Sequence, residues 1–157
     1  MSLRAVLLAA AFLLAPLAAR AADLVVWWEK GFYPAEDKAI RELVAEFEQI
    51  TGKKVELAFL PQIELQDKTQ AALEMGQPPD FLWGTLIART IPRWAYEDQL
   101  LDLTDTLEPF KDLFDADALQ GARLHNARAG RRSLYALPTG RYTNHVHVWK
   151  SLLEQAG

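Results

Sequence analysis

Two short clusters in this sequence pair a tryptophan with polar or small residues. An indole face can stack on the apolar C–H face of a pyranose ring, while carboxylate, ammonium and hydroxyl groups nearby bind its hydroxyls. This combination predicts binding of a small polar ligand, without a bond being made or broken. The residues concerned are Trp28, Glu29, Lys30, Trp83, Gly84 and Thr85.

The first cluster begins inside a pair of adjacent tryptophans, Trp27 and Trp28. Neighbouring side chains of a strand point to opposite faces of the sheet, so the two indoles must face in different directions. We expect Trp27 to pack in the core and Trp28 to face a ligand. The alternative is that both indoles belong to the core.

Two histidines, His145 and His147, would share one face of a strand and could bind a metal ion together. Two ligands do not complete a site, and no carboxylate stands at a suitable spacing. The sequence contains no H-E-x-x-H, G-x-S-x-G, Walker or G-x-G-x-x-G motif. A secreted metal-dependent hydrolase using the two histidines is therefore the alternative to a binding protein, and we predict neither a cofactor nor a metal ion.

The first 21 residues have the features of a signal peptide. Arg4 supplies the basic start, residues 5–15 are apolar, and Ala19 and Ala21 form a small-x-small cleavage site before Ala22. A membrane anchor is the alternative, but this apolar stretch has about 11 residues where about 20 are needed to span a bilayer. We expect export, with the mature chain starting at Ala22.

Composition restricts the compartment and the partners. The chain has no cysteine, which excludes disulfides, cysteine metal sites and a cysteine-linked lipid. An exported protein without a lipid anchor is expected in the periplasm. The net charge is −4, which makes nucleic acid and anionic membranes poor partners.

The first half of the mature chain alternates between strand and helix patterns. The strands are continuous apolar runs, as in parallel sheets covered on both faces, and Pro34 and Gly52 delimit the first helix. This βαβαβ order predicts an α/β fold with a mostly parallel sheet, and ligands of such sheets bind at the carboxyl ends of the strands. The expected elements are strands 24–28, 55–59 and 80–83 and helices 34–51 and 63–75.

The second half of the chain is less regular. Ile87 and Trp94 could share a helical face that Pro92 should kink or end. A further helix is expected over 112–123, with His125 on its continuation. We also expect a basic turn, two short strands and a new helix, over residues 127–133, 134–137, 145–149 and 150–157.

Four segments occur in an order that resembles the extracellular solute-binding proteins of carbohydrate ABC importers. The matching segments are FEQITGKKVEL, GQPPDFLWG, LLDLTD and SLYALPTGRYTNHVHVWKSLLEQAG. The resemblance implies a periplasmic-binding-protein-like (type II) fold, in which two α/β lobes close on a ligand. Members are more than twice this length. By this resemblance residues 22–149 form the N-terminal lobe, residues 150–157 start the crossover, and the second lobe is largely missing.

The same resemblance implies a function and adds site residues. Family members capture a sugar or related polyol and deliver it to permease subunits in the inner membrane. Their ligand contacts fall on the two tryptophan clusters and on the stretch of Arg141, Tyr142 and Asn144. A non-sugar ligand, such as a polyamine or an organic acid, remains the second alternative.

Overall fold

The computed structural model describes residues 22–139 and 146–156 of the 157-residue chain. The chain consists of two compact units, with the boundary between Ile87 and Ala88. The predicted site residues Arg141, Tyr142 and Asn144, together with His145 and the expected signal peptide, lie outside the described residues.

The first unit is a three-stranded parallel sheet with two helices. The strand order is β2-β1-β3, and both neighbours of β1 run parallel to it. The elements are β1 (Leu24–Glu29), α1 (Pro34–Thr51), β2 (Val55–Leu60), α2 (Gln62–Glu74) and β3 (Phe81–Trp83). This confirms the predicted βαβαβ order, with each boundary within two residues of its predicted position.

The start and end of α1 follow from local chemistry. Pro34 lies in its first turn, where a backbone N–H would have no acceptor within the helix, so the absence of this group costs no hydrogen bond. Asp37 and Glu36 fold back to accept hydrogen bonds from the amides of Gly31 and Phe32, at 2.8 and 3.0 Å. At the other end Gly52 adopts φ 70°, a left-handed conformation that costs glycine little.

Trp27 and Trp28 lie on opposite faces of the sheet. The Trp27 indole lies on the α2 side, where the ammonium of Lys68 is 4.3 Å from the ring centroid. Its exposure is only 9%, which confirms the prediction that Trp27 packs in the core. Trp28 lies on the α1 side, opposite Phe59 and Trp83 in the register.

The second unit contains short helices and an antiparallel hairpin of β4 (Arg123–Asn126) and β5 (Arg131–Leu134). Leu107, Ala122 and Leu134 form its small core, against which Leu103, Phe114, Leu119 and Ala136 pack. A 3₁₀ turn at Ile87–Arg89 includes the boundary between the units. The helices that follow it are α3 (Ile91–Tyr96), α4 (Thr104–Leu107), a 3₁₀ turn at Glu108–Leu113, α5 (Ala116–Gly121) and α6 (Lys150–Ala156).

Two helix predictions in this unit need correction. Pro92 neither kinks nor ends a helix. It lies in the first turn of α3, which follows a separate 3₁₀ turn. The expected helix over 112–123 is reduced to α5, because Asp115 caps a new start by accepting hydrogen bonds from the amides of Asp117 and Ala118.

The strand predictions in the second unit were partly wrong. His125 lies in β4 and not on a helix, and Arg131 and Arg132 lie in β5, so the turn covers only 127–130. Residues 146–149 are not a strand, whereas the helix predicted after them is confirmed as α6. Within the described part of the chain, no helix is long and apolar enough to cross a membrane.

Candidate functional site

The carboxyl ends of β1 and β3 bring the two tryptophan clusters together. Trp28 is the register partner of Trp83, so the residues that follow each of them leave the sheet side by side. Six predicted site residues therefore meet at one edge of the first unit: Trp28, Glu29, Lys30, Trp83, Gly84 and Thr85. The other three predicted residues lie outside the described part of the chain.

The aromatic half of the site is a stack of rings on the α1 side of the sheet. The centroids of Trp28 and Trp83 are 4.8 Å apart with planes 15° from parallel, and Phe81 lies 6.2 Å from Trp28 at 19°. Trp83 thus covers one face of the half-buried Trp28 indole. A sugar could stack only on the opposite face or on the outer rings. Phe81, 41% exposed, extends this surface.

The polar half of the site is organised around the carboxylate of Glu29, a residue that is only 6% exposed. Thr85 donates its backbone N–H to Oε2 at 2.6 Å, and its Oγ1 is 2.9 Å from both carboxylate oxygens. Gln62, the first residue of α2, donates its Nε2 to Oε1 at 3.3 Å. Burial of a carboxylate is costly without hydrogen-bond donors, and here two residues supply three of them.

Gly84 is required by the close packing around Glu29. A Cβ at this position would lie 2.8 Å from Cδ2 of Leu65, 3.1 Å from Oε2 of Glu29 and 3.2 Å from Cδ1 of Ile87. Contacts this short force the neighbours apart. The absence of a side chain therefore lets the loop after β3 approach the carboxylate.

Lys30 adds a charged residue at the same edge of the sheet. Its backbone N–H donates to the carbonyl of Leu60 at 2.8 Å, which continues the sheet hydrogen bonding beyond β1. Lys30 is exposed, in contrast to the buried Glu29 before it. The edge thus combines an exposed cation, a buried anion and an aromatic stack.

Gln62 is the site residue that sequence reasoning missed. It follows the second strand, and the rule that selected the residues after β1 and β3 applies to β2 as well. Applied to all three strands, that rule would have included Gln62. The sequence around it, LPQIEL, contains no aromatic residue, so it did not match the pattern of the two tryptophan clusters.

The possible metal site has little support. Among the described residues, no group of three or more histidine, cysteine, aspartate or glutamate side chains could hold a metal ion. His147 lies in an irregular segment before α6, and His145 lies outside the described residues.

Comparison with known families identifies the chain. The family model for bacterial extracellular solute-binding proteins matches residues 33–157. The chain belongs to this family. Comparison with curated protein sequences found no match.

Solved structures share the fold of this solute-binding chain. A Thermotoga lettingae solute-binding protein bound to α-D-tagatose matches with a TM-score of 0.56 and 20% identity over 64% of this chain. A binding protein of B. animalis subsp. lactis in complex with β-1,6-galactobiose matches with 0.53 and 22% over 69%, and the Thermus thermophilus maltotriose binding protein with 0.51 and 19% over 71%.

The match covers only part of each of those proteins. This chain spans 26%, 24% and 28% of their respective lengths. The comparisons establish an α/β fold like that of the periplasmic binding proteins. The family and these neighbours are binding proteins and not enzymes.

Proposed function

We propose that this chain forms part of a periplasmic solute-binding protein that captures a sugar or related polyol for an ABC importer. The observation that carries the proposal is that the Trp28–Trp83 stack, on the α1 side, and the Glu29 and Thr85 network, on the α2 side, lie at the same edge of the sheet. Stacking on aromatic rings combined with a few fixed polar groups is how sugar sites achieve affinity and orientation.

The family context supports a carbohydrate ligand. The three matched structures carry a monosaccharide, a disaccharide and a trisaccharide, so the fold accepts sugars of different length. No covalent chemistry is needed for this function. We therefore propose that the protein is not an enzyme, and that the permease subunits of an ABC importer recognise the ligand-bound form.

The remaining sequence predictions join this proposal. Residues 1–21 would direct export to the periplasm, residues 22–149 would form the first lobe, and 150–157 would begin the crossover towards a second lobe. Arg141, Tyr142 and Asn144 would add further ligand contacts.

The experiment is a calorimetric titration of the protein, produced at full length in its natural host, with four sugars. They are tagatose, β-1,6-galactobiose, maltotriose and mannotriose, the ligands of the matched structures. We expect binding of at least one sugar by the metal-free protein. Binding of none, together with stoichiometric zinc in the purified protein, would favour the metal-dependent hydrolase instead.

A variant pair localises the site. Replacement of Trp28 by alanine should weaken sugar binding, because it removes a ring of the stack. Replacement of Trp149, which is 78% exposed and outside the stack, is the matched control and should leave affinity unchanged. Equal affinities for Trp28→Ala and the wild type would place the ligand elsewhere.

A further inference from the structure

The buried carboxylate of Glu29 determines the direction of the hydrogen bonds at the carboxyl edge. An ionised carboxylate only accepts hydrogen bonds, and both of its oxygens lie 2.9 Å from Oγ1 of Thr85. The hydroxyl proton of Thr85 must therefore point towards Glu29. Towards any other group, the Thr85 oxygen is left as an acceptor.

The same constraint fixes the side-chain amide of Gln62. The amide atom facing Glu29 lies 3.3 Å from Oε1 and 2.5 Å from Oγ1 of Thr85. Glu29 cannot donate, and Thr85 has already given its proton to Glu29, so this atom must be the nitrogen. The geometry thus settles an orientation that is otherwise ambiguous between nitrogen and oxygen. The carbonyl oxygen of the same amide remains as an acceptor for other groups.

We propose that Glu29 is a positioning residue that turns Thr85 and Gln62 into hydrogen-bond acceptors for the ligand. This part of the site then selects groups that donate, such as sugar hydroxyls, and disfavours carboxylates and other groups that only accept. The inference rests on the proposed function, because it assumes that the ligand binds at this edge. It assigns Glu29 a role behind the contact surface, in agreement with its 6% exposure.

Glu29→Gln tests the proposal because it reverses the pattern. The backbone N–H of Thr85 still requires an oxygen at 2.6 Å, so the new amide nitrogen would lie on the side of Gln62. Two donors would then face each other, and the Gln62 amide would have to rotate and present its NH₂ group outwards. Glu64→Gln, an exposed change in the first turn of α2, is the matched control.

The binding readout uses deoxyfluoro analogues of the tightest sugar of the panel. Fluorine replaces a hydroxyl with little change in size but cannot donate a hydrogen bond. We expect one fluorine position to weaken binding to the wild type and to Glu64→Gln by about tenfold, the loss of a hydrogen bond to a polar partner. The same analogue should lose little affinity for Glu29→Gln. An equal penalty in wild type and Glu29→Gln would overturn the proposal, and a merely structural role would not change this ratio.

A second readout needs no ligand. In the wild type, the Nε2 protons of Gln62 should show nuclear Overhauser contacts to the γ-methyl group of Thr85, and these should be lost in Glu29→Gln. Contacts that persist in the variant would overturn the inference whether or not a sugar binds. Wild-type protein that binds no sugar, by contrast, would overturn the proposed function, so the two failures are distinguishable.

Thr85→Val covers the case in which Glu29→Gln fails to fold. The change keeps the shape of the side chain and removes the hydroxyl. If the fluorine penalty arises at Thr85, it should disappear in this variant, while a penalty that arises at Gln62 should remain. The proposal would be contradicted if, at every fluorine position, the loss of affinity were the same in Thr85→Val and Gln62→Ala as in the wild type.

Discussion

The two faces of the parallel sheet in the first unit differ sharply. On the α2 side, Trp27, Leu65 and Ala72 are buried, with exposures of 9%, 0% and 3%. On the α1 side no residue of the helix is buried, and Leu43 and Ile50 are 59% and 76% exposed. One strand, β1, supplies both faces, so the difference lies in what covers them.

This difference shows that an apolar strand predicts that helices cover both faces of the sheet. It does not predict how completely each face is buried. On the α1 side, charged side chains of the helix make two contacts with β2. The guanidinium of Arg41 lies 4.5 Å from the centroid of Phe59, and Glu48 accepts a hydrogen bond from the amide of Val55 at 2.8 Å. On the α2 side, by contrast, the helix itself buries Leu65, Thr69 and Ala72. Substitutions on the two faces should therefore have different costs.

The largest difference is expected between the two tryptophans. Trp27→Ala should lower the free energy of unfolding by about 3–5 kcal/mol, because it leaves a cavity under α2. Trp28→Ala should instead reduce sugar affinity by about 1–3 kcal/mol, by analogy with the stacking of nucleic-acid bases on aromatic side chains. Urea unfolding and calorimetric titration of both variants measure the two effects. Equal losses of stability with unchanged binding would show that the faces are wrongly assigned.

A leucine pair tests the comparison without the binding site. Leu65→Ala on α2 should destabilise the protein by about 2–5 kcal/mol, the usual cost for a buried leucine. Leu43→Ala on α1 removes the same atoms from a side chain that is 59% exposed, so the cost should be below about 1 kcal/mol. Similar midpoints in urea for the two variants would mean that α1 is as closely covered as α2.

Gly84 tests how tightly the buried side is packed at the edge of the sheet. Gly84→Ala should cost about 1–3 kcal/mol of stability, since its methyl group would press on Leu65 and Glu29. Gly121→Ala is the control, because a Cβ there meets nothing within 4 Å. Thermal unfolding of both variants distinguishes crowding from a general effect of replacing glycine. A neutral Gly84→Ala would indicate that the loop after β3 can move away.

Sequence reasoning was most successful where the pattern was local and periodic. The order of the first unit, the stop at Gly52 and the burial of Trp27 followed from apolar runs, turn residues and helix signals. It failed around His125, because a short hairpin strand is defined by pairing, here of His125 with Arg132. Helix periodicity in a neighbouring segment does not reveal that pairing.

The candidate site was predictable in position but not in its internal roles. The carboxyl-edge rule located Trp28 and Thr85, because it depends only on strand order. The burial of Glu29 and its bonds to Gln62 depend on how closely α2 approaches β1 and on the missing side chain of Gly84. Such distances are tertiary, and no spacing in the sequence encodes them.

The smallest effect is expected from pH, and among the described residues of the first unit it should be confined to the α1 side. The hydrogen bond from the Val55 amide is the largest cause that lowers the pKa of Glu48 below its ordinary value of 4.5, and Lys54 adds to it against the opposing effect of burial. A carboxyl with a lowered pKa stabilises the fold above its unfolded pKa. That contribution should be lost as the pH falls from 4.5 through the lower folded value.

Hydrogen exchange at the amide of Val55 measures this effect, because Glu48 accepts its proton. Protection of Val55 should decrease on acidification in the wild type more than protection of Trp27, in the centre of the sheet. Glu48→Gln keeps an oxygen acceptor but does not titrate, so its Val55 protection should be nearly independent of pH in this range. Glu42→Gln, an exposed change on the same helix, should behave like the wild type. If acidification released Val55 and Trp27 together, the contacts of α1 and α2 would form one cooperative unit, and the contrast between the two faces would not extend to their stability.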